Sequence, residues 1–164
     1  MKDDTTLYSL PRGSETILVA EDDETLRTLL GIALESCGYT VLKAAGGAEA
    51  LRLAERHDGA IPLLISDVVM RGMDGCELAD RLAALNPDLK VLLLSGYPVD
   101  PDLHGGVAFL QKPFRPSILV ARVRTLLDAP PAPQALALIE HSRSPAASSP
   151  NGRRVAKLEA CTYR

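Results

Sequence analysis

The residues best equipped for chemistry stand in short stretches that each follow an apolar run: Glu21-Asp22-Asp23, Asp67, Ser95-Gly96 and Gln111-Lys112-Pro113-Phe114. Carboxylates gathered in one place repel one another unless a cation joins them. A hard divalent ion with oxygen ligands, Mg2+, suits that role and often works beside phosphate oxygens. A carboxylate in such a group is also a nucleophile able to form an acyl phosphate. A lysine ammonium and a serine hydroxyl are suited to hold the phosphoryl group, and positioning with electrostatic stabilisation supplies most of the catalysis. Taken singly, each feature has a plainer reading. An acid at a strand end caps a helix or is solvated, Ser-Gly marks a turn, and Lys-Pro is an ordinary loop. What counts is where the elements put them together.

Those elements follow from the hydrophobic pattern. Residues 16–20 (TILVA) form a β-branched strand candidate, and 24–37 repeat apolar residues at Leu26, Leu29, Leu30, Ala33 and Leu34 on one helical face, with Gly38 as the stop. The alternation continues with a strand at 39–44, a helix at 48–56, a strand at 61–66 and a helix at 75–85. A strand at 90–94, a short strand at 107–110 and a helix at 116–127 complete it, with Pro116 in the first helical turn. Strands apolar on both faces and separated by helices imply a parallel sheet covered on both sides. The predicted class is α/β, a flavodoxin-like doubly wound five-stranded parallel sheet of order 2-1-3-4-5. Ligands of such sheets sit beyond the carboxyl ends of the strands. The acids, Ser95 and Lys112 all fall on that edge, so they converge in one crevice.

Composition agrees with one domain. The apolar fraction is 46%, Trp is absent, and Leu, Val, Ile and Ala must build the core. Residues 1–13 read as a flexible N-terminal segment, 14–129 as the domain, and 130–164 as a Pro/Ala/Ser-rich disordered tail. The formal charge is −3, but the tail holds Arg143, Arg153, Arg154, Lys157 and Arg164 against Glu140 and Glu159, so the body before it is the more acidic part. An acidic body is a poor platform for nucleic acid, and the scattered basic charges of the tail are read as solvated. Cys37, Cys76 and Cys161 lack paired metal-ligand spacing, and free thiols in a reducing compartment are expected. Nothing at the start resembles a signal peptide, and no apolar run approaches a membrane span. The expectation is a soluble, cytoplasmic protein with no nucleic acid or membrane partner.

The stretches VAEDDETLR, LLISDVVMRGMDGCEL, VLLLSGYP and AFLQKPF resemble the signature blocks of two-component response-regulator receiver domains, over about residues 13–127. SGYP and FLQKPF are similar to receivers of hybrid sensor histidine kinases. The resemblance implies a phosphoacceptor switch that takes a phosphoryl group from a histidine kinase or phosphotransfer protein onto Asp67 with Mg2+. It assigns Asp22 as a direct metal ligand, Glu21 as one through water, and the backbone carbonyl of Val69 as a further contact alongside Asp67. Glu21-Asp22 is preferred to Asp22-Asp23 because Arg27 then falls at the family's usual distance. Ser95 takes the phosphoryl hydrogen-bonding role beside Gly96, and Lys112 the charge-neutralising one. Phe109 is the aromatic that turns inward, and Pro113 shapes the loop through a cis bond after Lys112. The switch is then a population shift between two surfaces.

This sequence departs from that pattern in places. Arg71 stands where proline is usual, so a looser loop is expected. Val69 and Tyr97 flank the pocket at positions that tune phosphoryl lifetime. The stretch from Ser95 to Lys112 is short, and PVDPDLHGG leaves little room for a helix, so a shortened or missing fourth helix and an altered output face are expected. The leading reading is a receiver without its own effector, a monomer or weak dimer, catalysing only its own phosphorylation and dephosphorylation and so not an enzyme. The alternative is a receiver-like protein-binding module that works without phosphorylation. A haloacid-dehalogenase-type phosphatase would want a second acid where Val69 stands, and a flavin carrier lacks its phosphate loop after the first strand.

Overall fold

The computed structural model describes residues 10–98 and 107–131. Five strands, β1 (Thr16–Ala20), β2 (Thr40–Ala44), β3 (Leu63–Asp67), β4 (Lys90–Ser95) and β5 (Val107–Gln111), form one sheet in the order β2-β1-β3-β4-β5. Every pairing is parallel. Helices α1 (Glu24–Glu35), α2 (Gly47–Arg56), α3 (Gly75–Leu85) and α4 (Pro116–Asp128) cover it.

The period of two along each strand divides the core. Ile17, Val19, Leu63, Ile65, Leu92 and Leu94 pack with Leu30 and Leu34 of α1 and Leu119 and Val123 of α4. Leu18, Leu64 and Leu93 point the other way, onto Ala50 of α2 and Leu78 and Leu82 of α3. Strands buried on both faces read as continuous apolar runs, which is why β3 and β4 were conspicuous in the sequence.

Local chemistry sets the boundaries. Asp23 and Asp74 cap α1 and α3, accepting from Leu26 N at 2.8 Å and Glu77 N at 2.9 Å. The first helix stops at Glu35, short of the expected Cys37. Gly38, at φ 96°, turns the chain while its N–H bonds Glu35 O at 3.0 Å. The third strand begins at Leu63 and not at 61, because Pro62 has no N–H for the ladder and only accepts, from Lys90 N at 3.0 Å. Cys76, read above as a free thiol, is disulfide-bonded; Cys37 is free and buried. Among the described residues no helix lies between β4 and β5. Residues 99–106, on which the shortened or missing helix was expected, are not among them, and neither is the tail from 132 onward. No helix among the described residues is long and apolar enough to cross a membrane.

Candidate functional site

The carboxyl ends of the strands meet at one edge of the sheet. Register places Ala20 beside Ser66, so β1 and β3 end side by side and deliver Glu21, Asp22 and Asp67 to the same place. Each of these three acids offers an oxygen within 4.8 Å of the others. Lys112, following β5, reaches across: its Nζ lies 2.9 Å from Asp67 Oδ2 and 3.1 Å from Glu21 Oε2. The cis bond between Lys112 and Pro113 occurs where it was expected, and Lys112 N donates to Ser95 O at 2.7 Å.

Burial sets the electrostatics. Glu21 is 1% exposed, and desolvation holds its carboxyl above the usual range despite the Asp23 N–H and the Lys112 ammonium that favour its charge. Desolvation also acts on Lys112, in the lowering direction, but hydrogen bonds and charges from Asp67 and Glu21 outweigh it and raise the ammonium's pKa. Arg27 Nη1 donates to the carbonyl of Glu21 at 2.7 Å, fixing the backbone that carries the acid. Asp23 is spent on capping α1 and stands outside the cluster, which separates it from the Glu21-Asp22 pair.

Other residues singled out in the sequence have distinct places. Val69 is exposed at the rim, with its N–H 3.3 Å from Asp67 Oδ1. Ser95 is buried, and its Oγ is engaged by Tyr97, accepting from the N–H at 3.1 Å and donating to the carbonyl at 3.0 Å. Gly96 is exposed directly after it. Phe109 is 8% exposed within the core on the α2 and α3 side, so it is already buried while Ser95 is tied to Tyr97.

The structure also shows two features that spacing did not reveal. A Cβ on Gly75 would stand 2.1 Å from the carbonyl oxygen of Asp67, so α3 begins against the backbone of that acid. The Asp-Gly step before the helix was the available signal. Arg71 Nε lies 3.8 Å from Asp22 Oδ2. That pairing had no signal beyond an unusual residue in the loop.

An all-oxygen donor set, with a buried glutamate that carries more desolvation than one lysine removes, fits a hard divalent cation. The arrangement also places an ammonium on a carboxylate that is 14% exposed and therefore open to a donor.

Residues 17–124 match the response regulator receiver domain family. The chain is 40% identical over 121 residues to the sensor kinase CckA of Brucella abortus, covering 71% of this chain but only 13% of CckA. It is 40% identical over 118 residues to the response regulator receiver protein CpdR of the same organism, covering 69% of this chain and 97% of CpdR. Among solved structures, the receiver domain of the hybrid histidine kinase CckA superposes with a TM-score of 0.61 at 40% identity, covering 69% of this chain and 99% of that one. The chemotaxis protein CheY4 of Vibrio cholerae gives 0.62 at 26% identity, covering 70% and 99%.

Proposed function

The chain belongs to the response regulator receiver domain family, and we propose that it is a phosphoacceptor switch in which Asp67 takes a phosphoryl group from a phosphohistidine of a histidine kinase or phosphotransfer protein. A carboxylate oxygen of Asp67 bonds to phosphorus, the P–N bond of the donor breaks, and its electron pair leaves with the imidazole. The observation that carries this reading is the 2.9 Å ion pair between Lys112 Nζ and Asp67 Oδ2. Lys112 balances the charge that accumulates at the acyl phosphate. Ser95, on the strand beside Asp67, donates to a phosphoryl oxygen once its hydroxyl leaves Tyr97. Asp22 and Asp67, with Glu21 behind them, would hold Mg2+, which would supply positive charge to neutralise the phosphoryl oxygens. The chain turns over no separate substrate, and its partners carry phosphohistidine; a cytoplasmic place of action goes with such partners.

Incubation with acetyl phosphate and Mg2+ tests the assignment. The intact mass should rise by one phosphoryl unit, and not in Asp67→Asn. Labelling that persists in Asp67→Asn would overturn it.

A further inference from the structure

Two cations divide the three acids of the pocket among the described residues. Lys112 pairs with Glu21 and Asp67, and Arg71 pairs with Asp22. Lys112 belongs to the pocket's own chemistry. Arg71 does not, and it stands where the resembled family usually has an uncharged proline.

The backbone holds Arg71 in place from both sides. Val68 N donates to Leu94 O and Gly75 N to Val68 O, each at 3.0 Å, closing the loop between β3 and α3. Val68 and Met70 are buried at 5% and 4% exposure and anchor it from within. Gly72 turns the chain at φ 77°, in the left-handed region that favours glycine. Between Met70 and Gly72, the side chain of Arg71 is left 93% exposed and directed to the rim beside Asp22.

So exposed a pair, at 3.8 Å, adds little to stability. Its effect lies elsewhere. Asp22 is the acid with the most open carboxylate of the three, at 26% against 14% for Asp67 and 1% for Glu21. We infer that Arg71 is a built-in competitor for Asp22, setting the resting pocket to bind Mg2+ weakly. This rests on the reading of the pocket as a cation site. The guanidinium opposes the ion through its charge, since it cannot remain beside Asp22 without facing a +2 neighbour. In water's dielectric and at physiological salt, one such charge about a side chain's length away weakens affinity on the order of threefold.

Calorimetric titration of the full chain with Mg2+, without any phosphodonor, provides the test. Arg71→Gln should bind about threefold more tightly than the wild type, Arg71→Lys about as the wild type, and Arg71→Glu more tightly again. The spread should contract in 1 M salt, where the screening length falls to about 3 Å. Circular dichroism melts without Mg2+ establish that each variant is folded. Equal affinities for the wild type and Arg71→Gln, with binding intact in both, would overturn this inference alone. Failure of every variant to bind Mg2+ would remove the reading of the pocket, and this inference with it.

Discussion

Lys112 Nζ and Asp67 Oδ2 stand 2.9 Å apart at the end of the sheet, and the same ammonium is the counter-charge of a glutamate that is 1% exposed. Removing one partner of a buried pair costs more than the pair contributes, because the remaining charge stays desolvated. Lys112→Met should therefore lower stability by about 2–3 kcal/mol in metal-free buffer, towards the lower end because Lys112 itself is partly exposed. Urea denaturation with and without Mg2+ checks this. Added Mg2+ should restore more stability to the variant than to the wild type, whereas equal responses would count against a shared pocket.

Gly75 makes a sharper demand. A methyl group there would meet the carbonyl oxygen of Asp67 at 2.1 Å and Ser66 Oγ at 2.9 Å. Both neighbours sit at the end of a central strand, so helix and strand must separate. Gly75→Ala should cost about 2 kcal/mol and slow phosphoryl uptake from acetyl phosphate by displacing Asp67. Gly46→Ser is the control: nothing lies within 4 Å of a Cβ there, and serine suits the cap of α2. A fully active, stable Gly75→Ala protein would show that α3 does not position the acid.

Ser95 is held by Tyr97 through both its donor and its acceptor capacity. Its hydroxyl must give up at least the bond to the Tyr97 carbonyl before donating to a phosphoryl group. Ser95→Ala should cost about 1 kcal/mol and expose the Tyr97 amide to solvent exchange. Hydrogen exchange should likewise quicken at Tyr97 when the wild type is phosphorylated. An amide that quickens in Ser95→Ala but stays protected in the phosphorylated wild type would mean that Ser95 never leaves Tyr97.

The fold and the cluster were legible in the sequence for the same reason. Strands buried on both faces, such as β3 and β4, must be apolar throughout, and in a parallel sheet their carboxyl ends share one edge. The acids at 21–23, Asp67 and Lys112 could thus be placed together from order alone, whereas the choice of Glu21-Asp22 over Asp22-Asp23 rested on the family resemblance. Orientation was not legible. Ser95 lies on the predicted edge, yet its hydroxyl is turned to Tyr97, and Phe109, expected to move inward, is buried already. Both depend on side-chain torsions that residue spacing does not carry. Arg71 was noticed only as an unusual residue, because its partner Asp22 is far away in sequence.

At the opposite end of the sheet, Arg124 grips Glu15 with both terminal nitrogens, Nη2 to Oε1 at 2.9 Å and Nη1 to Oε2 at 3.3 Å, and reaches Asp128 at 2.7 Å. This ties the segment before β1 to α4. The Arg124 hydrogen bonds hold the Glu15 carboxyl below its usual range, against a smaller opposing contribution from burial. The other groups nearby are Tyr39, whose hydroxyl is pushed up mainly by burial, and Arg124 itself, raised by its two acids. A carboxyl depressed on folding adds stability that is complete above its unfolded pKa, near 4.5, and disappears as pH falls through the lower folded value. Glu15→Gln should therefore be less stable than the wild type by about 1 kcal/mol at pH 7, a modest figure because the pair is partly exposed. The difference should shrink below pH 4.5 and vanish once Glu15 is protonated in both states. Paired urea titrations from pH 7 down to pH 3 read that convergence directly. A gap that stays constant across the range would assign the loss to packing and not to the charge of Glu15.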